Sequence, residues 1–515
     1  MKRILRISRS SVFNIHSVFR GSACNLPTGA AYTAQRLSGA RRARSSGPET
    51  TEPILVVNPA TEEIIGQVNS DTVETVQDKV EQAEAGQVSW ESTPLAERKR
   101  IIGRFKELLR VNAGKLSGIL VAEIGKPTTH ANGEIKATQA RVQYFLDNVD
   151  QVLKDQKVGE VEGGKLQEYI SHEPLGVIAN ISAWNYPYFV GTNVIIPALL
   201  TGNAVLYKPS EYATLTGLHI TDTLHEAGVP SNVLIPVLGK GSVGQTLIQQ
   251  PQVNGVFFTG SNASGQKVAN VAGPRMVRMQ LELGGKDPAY VNNDLNGDQL
   301  RGAAASLAEG AFYNCGQSCC AVERIYVHED VYDEFVQHFV SAVKEFKVGD
   351  PALPSTFIGP LTRPGQIPIL ERQVAEAVAW GATVVHGSGK RLPYAKGFYF
   401  DPTVVADCTN SMTLMREESF GPVIGIGRVE TIDEAVALMN DTDYGLTASV
   451  YSASSDQAQY VLKQMNSGTV YWNCCDRVVP RLPWSGRKGS GIGTTLSIEG
   501  IKTFTQTKAW HARSL

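Results

Sequence analysis

Between residues 84 and 123 apolar side chains recur at helical spacing, with Leu95, Ile101, Ile102, Phe105, Leu108 and Leu109 on one stripe, and the pattern predicts helix. A further helix is predicted over 134–152. From Val177 the pattern changes to short apolar runs at 177–181, 204–207, 233–237 and 253–258, separated by helix-length segments. Such alternation predicts a parallel sheet with crossover helices. A second α/β series follows Ala289, with a helix at 332–346 and strands near 383–385, 403–405, 423–426 and 449–451. Two α/β domains are implied. Residues 159–172 and 498–510 read as extended ribbon, suited to pairing outside either sheet.

At 515 residues and 42% hydrophobic content the chain can fill the cores of two or three domains. No run approaches the roughly 18 to 20 uninterrupted apolar residues of a membrane span, because Pro197, Gly202 and Lys208 break the most apolar region; a soluble protein without membrane contact is expected. Nine of the 48 basic residues lie before Pro48, and no acidic residue precedes Glu49. This Ser-rich, acid-free segment, ending near Arg41-Arg42-Ala43-Arg44-Ser45, has the composition of a mitochondrial transit peptide over residues 1–48, and the matrix is the expected location. A disordered basic tail is the alternative; a secretory signal lacks its apolar block. The remainder holds 39 basic against 50 acidic residues, about −11 net, so nucleic acid is not an expected partner. Seven cysteines without paired metal-ligand spacing are expected to be reduced thiols, with no metal site.

The candidate chemistry starts from Phe312-Tyr313-Asn314-Cys315-Gly316-Gln317-Ser318-Cys319-Cys320-Ala321, which sets a thiol in a short break between an Ala-rich helical run and the strand-like Arg324-Ile325-Tyr326-Val327. Upstream, Leu281-Glu282-Leu283-Gly284-Gly285-Lys286 offers a carboxylate on a Gly-punctuated turn, and Ala183-Trp184-Asn185-Tyr186-Pro187 an amide after an apolar strand. Thiol, carboxylate and amide together suggest acyl chemistry, although in isolation the cysteines read first as a buried thiol cluster. The run Thr259-Gly260-Ser261-Asn262-Ala263-Ser264-Gly265 leads a strand into a helix in a phosphate-binding arrangement, or in a plain tight β–α turn. Leu206-Tyr207-Lys208-Pro209-Ser210-Glu211 sets a Lys and a Glu at a strand's carboxyl edge. There Glu211 is suited to an adenosine ribose and would repel a 2′-phosphate; Ser210 as helix N-cap with a first-turn Glu is the structural reading.

Seven stretches in order, Trp184-Asn185-Tyr186-Pro187, Lys208-Pro209-Ser210-Glu211, Phe258-Thr259-Gly260-Ser261, Leu281 to Lys286, Gly316-Gln317-Ser318-Cys319, Glu417-Glu418-Ser419-Phe420-Gly421-Pro422 and Pro483-Trp484-Ser485-Gly486-Arg487-Lys488, resemble the aldehyde dehydrogenase superfamily over everything after the presequence. The resemblance implies a Rossmann-like cofactor domain (49–157 and 175–284), an α/β catalytic domain (285–484) and a β-ribbon oligomerisation element (158–174 and 495–512) in a homodimer or homotetramer. It implies Cys319 as nucleophile on an aldehyde, Asn185 with the Cys319 N–H as oxyanion donors, and Glu282 as the base that activates water against a thioester. Cofactor contacts implied are Ile181, Trp184, Lys208, Ser210, Glu211, Gly260, Ser261, Gly265, Leu283, Glu418 and Phe420, with NAD favoured over NADP. The rival readings are a CoA-acylating or reductive relative, and a catalytically silent binding or structural homologue.

The chain departs from the family pattern in four places. Ala183 replaces a Pro before the Trp-Asn pair, the Glu282 to Cys319 interval is longer within 293–299, and Thr494-Thr495 replaces an Arg-Glu pair after Gly493. Asn193 stands where semialdehyde-acid enzymes supply an Arg, which disfavours succinic semialdehyde. The expected mouth comprises Tyr186, Val190, Asn193, Phe312 and the 473–484 loop, where Asp476 suits an amino-aldehyde and Arg477 an acid.

Overall fold

The computed structural model describes residues 52–161 and 165–513; the transit-peptide reading of residues 1–48 falls outside them. Two parallel sheets dominate. The first has six strands in the order Gly491–Ile492, Arg278–Glu282, Val253–Thr259, Val177–Ser182, Ala204–Pro209 and Leu234–Pro236. All are parallel except Gly491–Ile492, which runs antiparallel to Arg278–Glu282. The chain builds outward from Val177–Ser182 in one direction, then returns to build on its other side. The carboxyl ends of Val177–Ser182 and Val253–Thr259 therefore flank a topological switch point, the place where open α/β sheets hold ligands. Its central strands are buried on both faces, as crossover helices on either side require.

The second sheet has seven strands in the order Thr383–His386, Thr403–Ala406, Val423–Val429, Val322–His328, Asp287–Val291, Thr447–Tyr451 and Thr469–Trp472. The edge strand Thr383–His386 is antiparallel to its neighbour. The fold is α/β with two wound sheets and a small antiparallel element. That element is a three-stranded ribbon in which Leu166–Pro174 lies between Thr505–Arg513 and Gln156–Val161.

The predicted helix over 84–123 is three helices, Val73–Glu91, Leu95–Val111 and Ala113–Ile124, broken where Pro94 and Asn112 interrupt the ladder. Thr128–Leu153 is one helix of 26 residues. The extended reading of 498–510 is corrected at its start: Ser497–Lys502 forms a short helix that buries Ile501 before the strand Thr505–Arg513 begins. The longer 293–299 interval ends in a capping box, in which Asn296 and Gln299 exchange side-chain hydrogen bonds and start the helix Gly297–Phe312. Among the described residues no helix is long and apolar enough to cross a membrane.

Candidate active site

The helix Gly297–Phe312 stops at a turn whose next residues cannot continue it. Asn314 (φ 53°), Cys315 (φ 61°) and Gly316 (φ 68°) are all left-handed, a conformation that costs non-Gly residues about 1–3 kcal/mol each. A Cβ on Gly316 would lie 2.3 Å from the Gly421 carbonyl oxygen, so only glycine fits. The turn delivers Gln317, Ser318 and Cys319 to the mouth of the Val322–His328 strand. Cys315, Cys320, Cys408 and Cys475 are buried, whereas Cys319 is half-exposed. Burial pushes the Cys315 thiol up, and the Cys319 thiol beside it, then burial and Asp476, hold Cys320 well above the usual thiol value. The Cys320 thiol donates to Asp476 Oδ1 at 2.9 Å. Accessibility thus separates Cys319 from its neighbours.

Asn185 precedes the helix Pro187–Leu200, and its Nδ2 donates to the Gln317 carbonyl at 3.1 Å. Asn314 Nδ2 donates to the carbonyls of both Asn185 (3.3 Å) and Gln317 (3.2 Å). The amide predicted as oxyanion donor is therefore fastened to the loop that carries the thiol. The missing Pro at 183 is no obstacle, because this fastening comes from the facing loop.

Glu282 ends its strand 8% exposed. Its Oε1 accepts from Gln280 Nε2 at 2.8 Å and from the Thr495 hydroxyl, while Oε2 takes no hydrogen bond among the described residues. Burial raises the carboxyl above its ordinary value, against the opposing pull of Thr495, Gln280 and Arg141. Beyond it, Leu283-Gly284-Gly285 passes between two site groups: a Cβ on Gly285 would lie 2.8 Å from the Cys319 carbonyl oxygen, and one on Gly284 2.2 Å from Glu418 Oε1. Sequence reading missed Gln280 and Arg141, and took Thr495 for a tail-packing residue. The signal for Gln280 and Thr495 was their polarity at positions otherwise buried, 2% and 1% exposed.

The predicted cofactor residues line one edge of the six-stranded sheet. Ile181 pairs with both Lys208 and Phe258 across neighbouring strands. Lys208 is 3% exposed, and among the described residues its ammonium bonds only the Pro209 carbonyl, at 3.2 Å; burial lowers it, and Glu211 opposes that shift. Ser210 Oγ donates to Glu211 Oε2 at 3.4 Å. Gly260 follows the strand, and Ser261 caps the helix Asn262–Ala272 through the Ser264 N–H. Trp184 packs edge-on to both Tyr212 (6.4 Å) and Phe420 (5.6 Å), so the edge runs continuously from Glu211 to the catalytic loop. Gly265 is buried, and a Cβ there would strike the Leu283 side chain at 2.5 Å, so its bareness lets the helix close onto the strand end. Leu283 itself spends its N–H on the Ser490 carbonyl.

Glu418 and Phe420 are held from below. Glu323 Oε2 accepts from the Ser419 N–H (2.8 Å) and from Lys286 Nζ (2.6 Å), and Oε1 from the Phe420 N–H (2.9 Å). Phe420 is left-handed (φ 48°), a conformation this clamp enforces. Burial and the nearby Glu323 push the Glu418 carboxyl up to about 8.

At the mouth, Phe312 is corrected to a core residue, fully buried against Phe339 and Phe346. Of the loop pair, Asp476 faces inward, bonded to Cys320 and, at 3.5 Å, Ser318, with burial raising it to about 6; Arg477 is exposed. Tyr186 stacks on Phe189 (5.7 Å) beneath Lys126, which pairs with Glu134. Among the described residues no cluster of His, Cys, Asp or Glu is arranged to hold a metal ion.

These residues present an accessible thiol, an amide tied to its loop and a buried carboxylate beside a sheet edge that combines a switch point, a buried cation bonded among the described residues to a carbonyl alone, and a nearby carboxylate. Comparison with known proteins agrees. Residues 46–510 match the aldehyde dehydrogenase family. The chain is 35% identical over 468 residues to a succinate-semialdehyde dehydrogenase [NADP(+)] of Deinococcus radiodurans (91% of this chain, 96% of that one). It is 33% identical over 472 residues to the peroxisomal aminoaldehyde dehydrogenase 2 of Malus domestica (89% and 93%). Among solved structures, lactaldehyde dehydrogenase from Escherichia coli superposes with a TM-score of 0.86 at 32% identity, covering 90% of this chain and 97% of that one.

Proposed function

The chain belongs to the aldehyde dehydrogenase family, an NAD(P)-dependent oxidoreductase of aldehydes, and from that premise we propose that it uses NAD and releases the free acid through a thioester on Cys319. The Cys319 sulfur attacks the carbonyl carbon, and the carbonyl oxygen becomes an oxyanion that accepts from the Asn185 amide and the Cys319 N–H. Donors of this kind supply about 2.7 to 4 kcal/mol each. The Lys208–Phe420 edge would hold a nicotinamide cofactor, which would supply the acceptor for the hydride that the Cys319 thiohemiacetal must lose to become a thioester. Glu282 Oε2, unbonded while Oε1 is anchored, takes a proton from water; the oxygen adds to the thioester carbon and the cysteine thiolate leaves.

The observation that carries this reading is the convergence of all three groups on one loop: Asn185 bonds the Gln317 carbonyl, and the segment following Glu282 lies against the Cys319 carbonyl. Glu211 supports NAD, because a carboxylate accepts both ribose hydroxyls and repels a 2′-phosphate. The basic, acid-free residues 1–48 support delivery to the mitochondrial matrix. The ribbon supports a homodimer or homotetramer: its outer strands are unpaired on one side, and Val158 and Trp510 are exposed on them.

The test is NADH formation with a panel of aldehydes. Cys319→Ala is expected to abolish it, to below about a thousandth of wild type, with the fold and NAD binding retained. Undiminished turnover removes Cys319 from the mechanism. Replacing water by CoA as the acceptor distinguishes the acylating alternative: product that appears as acyl-CoA with no free acid overturns the role of Glu282.

A further inference from the structure

Arg141 projects from the helix Thr128–Leu153 into the mouth and is 5% exposed. Nη1 donates to Asn193 Oδ1 at 3.2 Å and Nη2 to the Val478 carbonyl at 3.4 Å, both long, and the guanidinium lies on the Phe189 ring, 3.8 Å from its centroid. Among the described residues only two of its five N–H donors are engaged. Its Nε makes no hydrogen bond, yet unlike the Nε of Arg98 it is not sealed from solvent. Buried Lys126 and Lys286 each have a carboxylate partner; Arg141 has none among the described residues. Glu134 is taken by Lys126, Glu282 is anchored by Gln280 and Thr495, and Asp476 faces Cys320. Burial lowers Arg141 only to about 10, so it is cationic at neutral pH.

Glu134 and Glu282 favour the Arg141 charge only from a distance, each being bonded elsewhere, and a desolvated cation so weakly met is costly unless an anion arrives to pair with it. We infer that Arg141 anchors a carboxylate at the far end of the substrate, which makes the substrate an aldehyde acid; the inference rests on the function proposed above. Asn193, which Arg141 bonds, lies about 9 Å along its helix from Pro187, and Asn185 stands two residues before that. Allowing about 3 Å for each hydrogen bond, a separation on the order of 10 Å between oxyanion donor and guanidinium leaves about 4 Å, which suits a short chain of about three or four carbons. Planar, bidentate pairing with a carboxylate is the recognition a guanidinium offers and an ammonium does not. The absence of an arginine at position 193 therefore leaves the pocket cationic, because helix Thr128–Leu153 supplies one.

The experiment compares kcat/KM for 4-oxobutanoate, butanal and 4-aminobutanal on the full chain with NAD. Wild type is expected to prefer 4-oxobutanoate over both others by about 30-fold or more. Arg141→Gln should lose that preference, the ratio of 4-oxobutanoate to butanal falling to about one through KM, while loss of the guanidinium's pull on Glu282 shifts the pH profile of all three substrates alike; Arg141→Lys should recover part of the ratio. Glutarate should protect the wild type against thermal unfolding and leave Arg141→Gln unprotected. If butanal or 4-aminobutanal is the better wild-type substrate, or Arg141→Gln lowers all three equally, the inference is overturned while the aldehyde chemistry stands. If none of the three yields NADH and Cys319→Ala is indistinguishable from wild type across the wider panel, the proposed function itself falls.

Discussion

Arg324 and Arg141 are both buried, and they differ in how completely the protein answers them. Arg324, five residues beyond Cys319, is fully enclosed and bonds through all three nitrogens to the Lys286, Met439, Leu438 and Asp441 carbonyls and the Tyr326 hydroxyl. Its surroundings, with the Lys286–Glu323 pair beside them, form a closed polar network. Arg141 has two long bonds and, among the described residues, no carboxylate at ion-pair distance. The contrast separates scaffolding from site: where the chain satisfies its own charges it is building a platform, and where it leaves them half-met it is waiting for another molecule. Lys208, buried with a single carbonyl partner at the cofactor edge, belongs with Arg141.

That division predicts that substitutions in the closed network damage stability and that substitutions at half-met groups damage turnover. The largest effect is expected from Lys286→Ala, which strands the buried Glu323 carboxylate and should destabilise the protein by about 3 to 5 kcal/mol in denaturant unfolding. A change under about 1 kcal/mol would dissolve the distinction. Asn185→Ala should lower kcat by about 10² to 10³-fold with little loss of stability, read from steady-state kinetics beside a thermal melt. Glu211→Gln should raise the KM for NAD about tenfold and narrow the gap between NAD and NADP; an unaltered NAD to NADP ratio would remove Glu211 from cofactor choice. The mildest effect is expected from Thr495→Val. The Thr495 hydroxyl lowers the Glu282 carboxyl against its burial, so losing it raises that group further; a base must be deprotonated to act, so the acidic limb of the kcat profile should move to higher pH. A limb that stays put, or moves down, denies Glu282 the role of base.

Much of this architecture was legible in the chain because local pattern and final structure agree. The runs at 177–181 and 204–207 are mainly apolar segments of strand length, and each is a strand buried on both faces; 253–258 is a strand buried except at Asn254. The site motifs were readable because each sits at an element's end, where Gly or Pro punctuates the chain. Ser497–Lys502 was misread because six residues with one buried face carry too little periodicity to separate helix from strand. Arg141 was invisible for another reason. On its own helix it is one polar residue in a long amphipathic run, and its meaning comes from Asn193 and Val478, which lie 52 and 337 residues away. Phe312 failed in the opposite sense: adjacency to the nucleophile in sequence suggested adjacency in space, but the helix turns its ring into the core.

The close approach of Gly316 to the Gly421 carbonyl has a consequence for how such a molecule changes over time. The turn that presents the sulfur and the turn that presents Glu418 and Phe420 rest on each other with no room for a single methyl group. Neither can be redrawn alone: lengthening or bulking one displaces the other, so reagent and hydride-accepting partner are kept in mutual alignment by bare steric exclusion. Diversification of substrate is then left to the opposite wall, where the helix Thr128–Leu153 and the 473–484 loop can vary without disturbing that alignment.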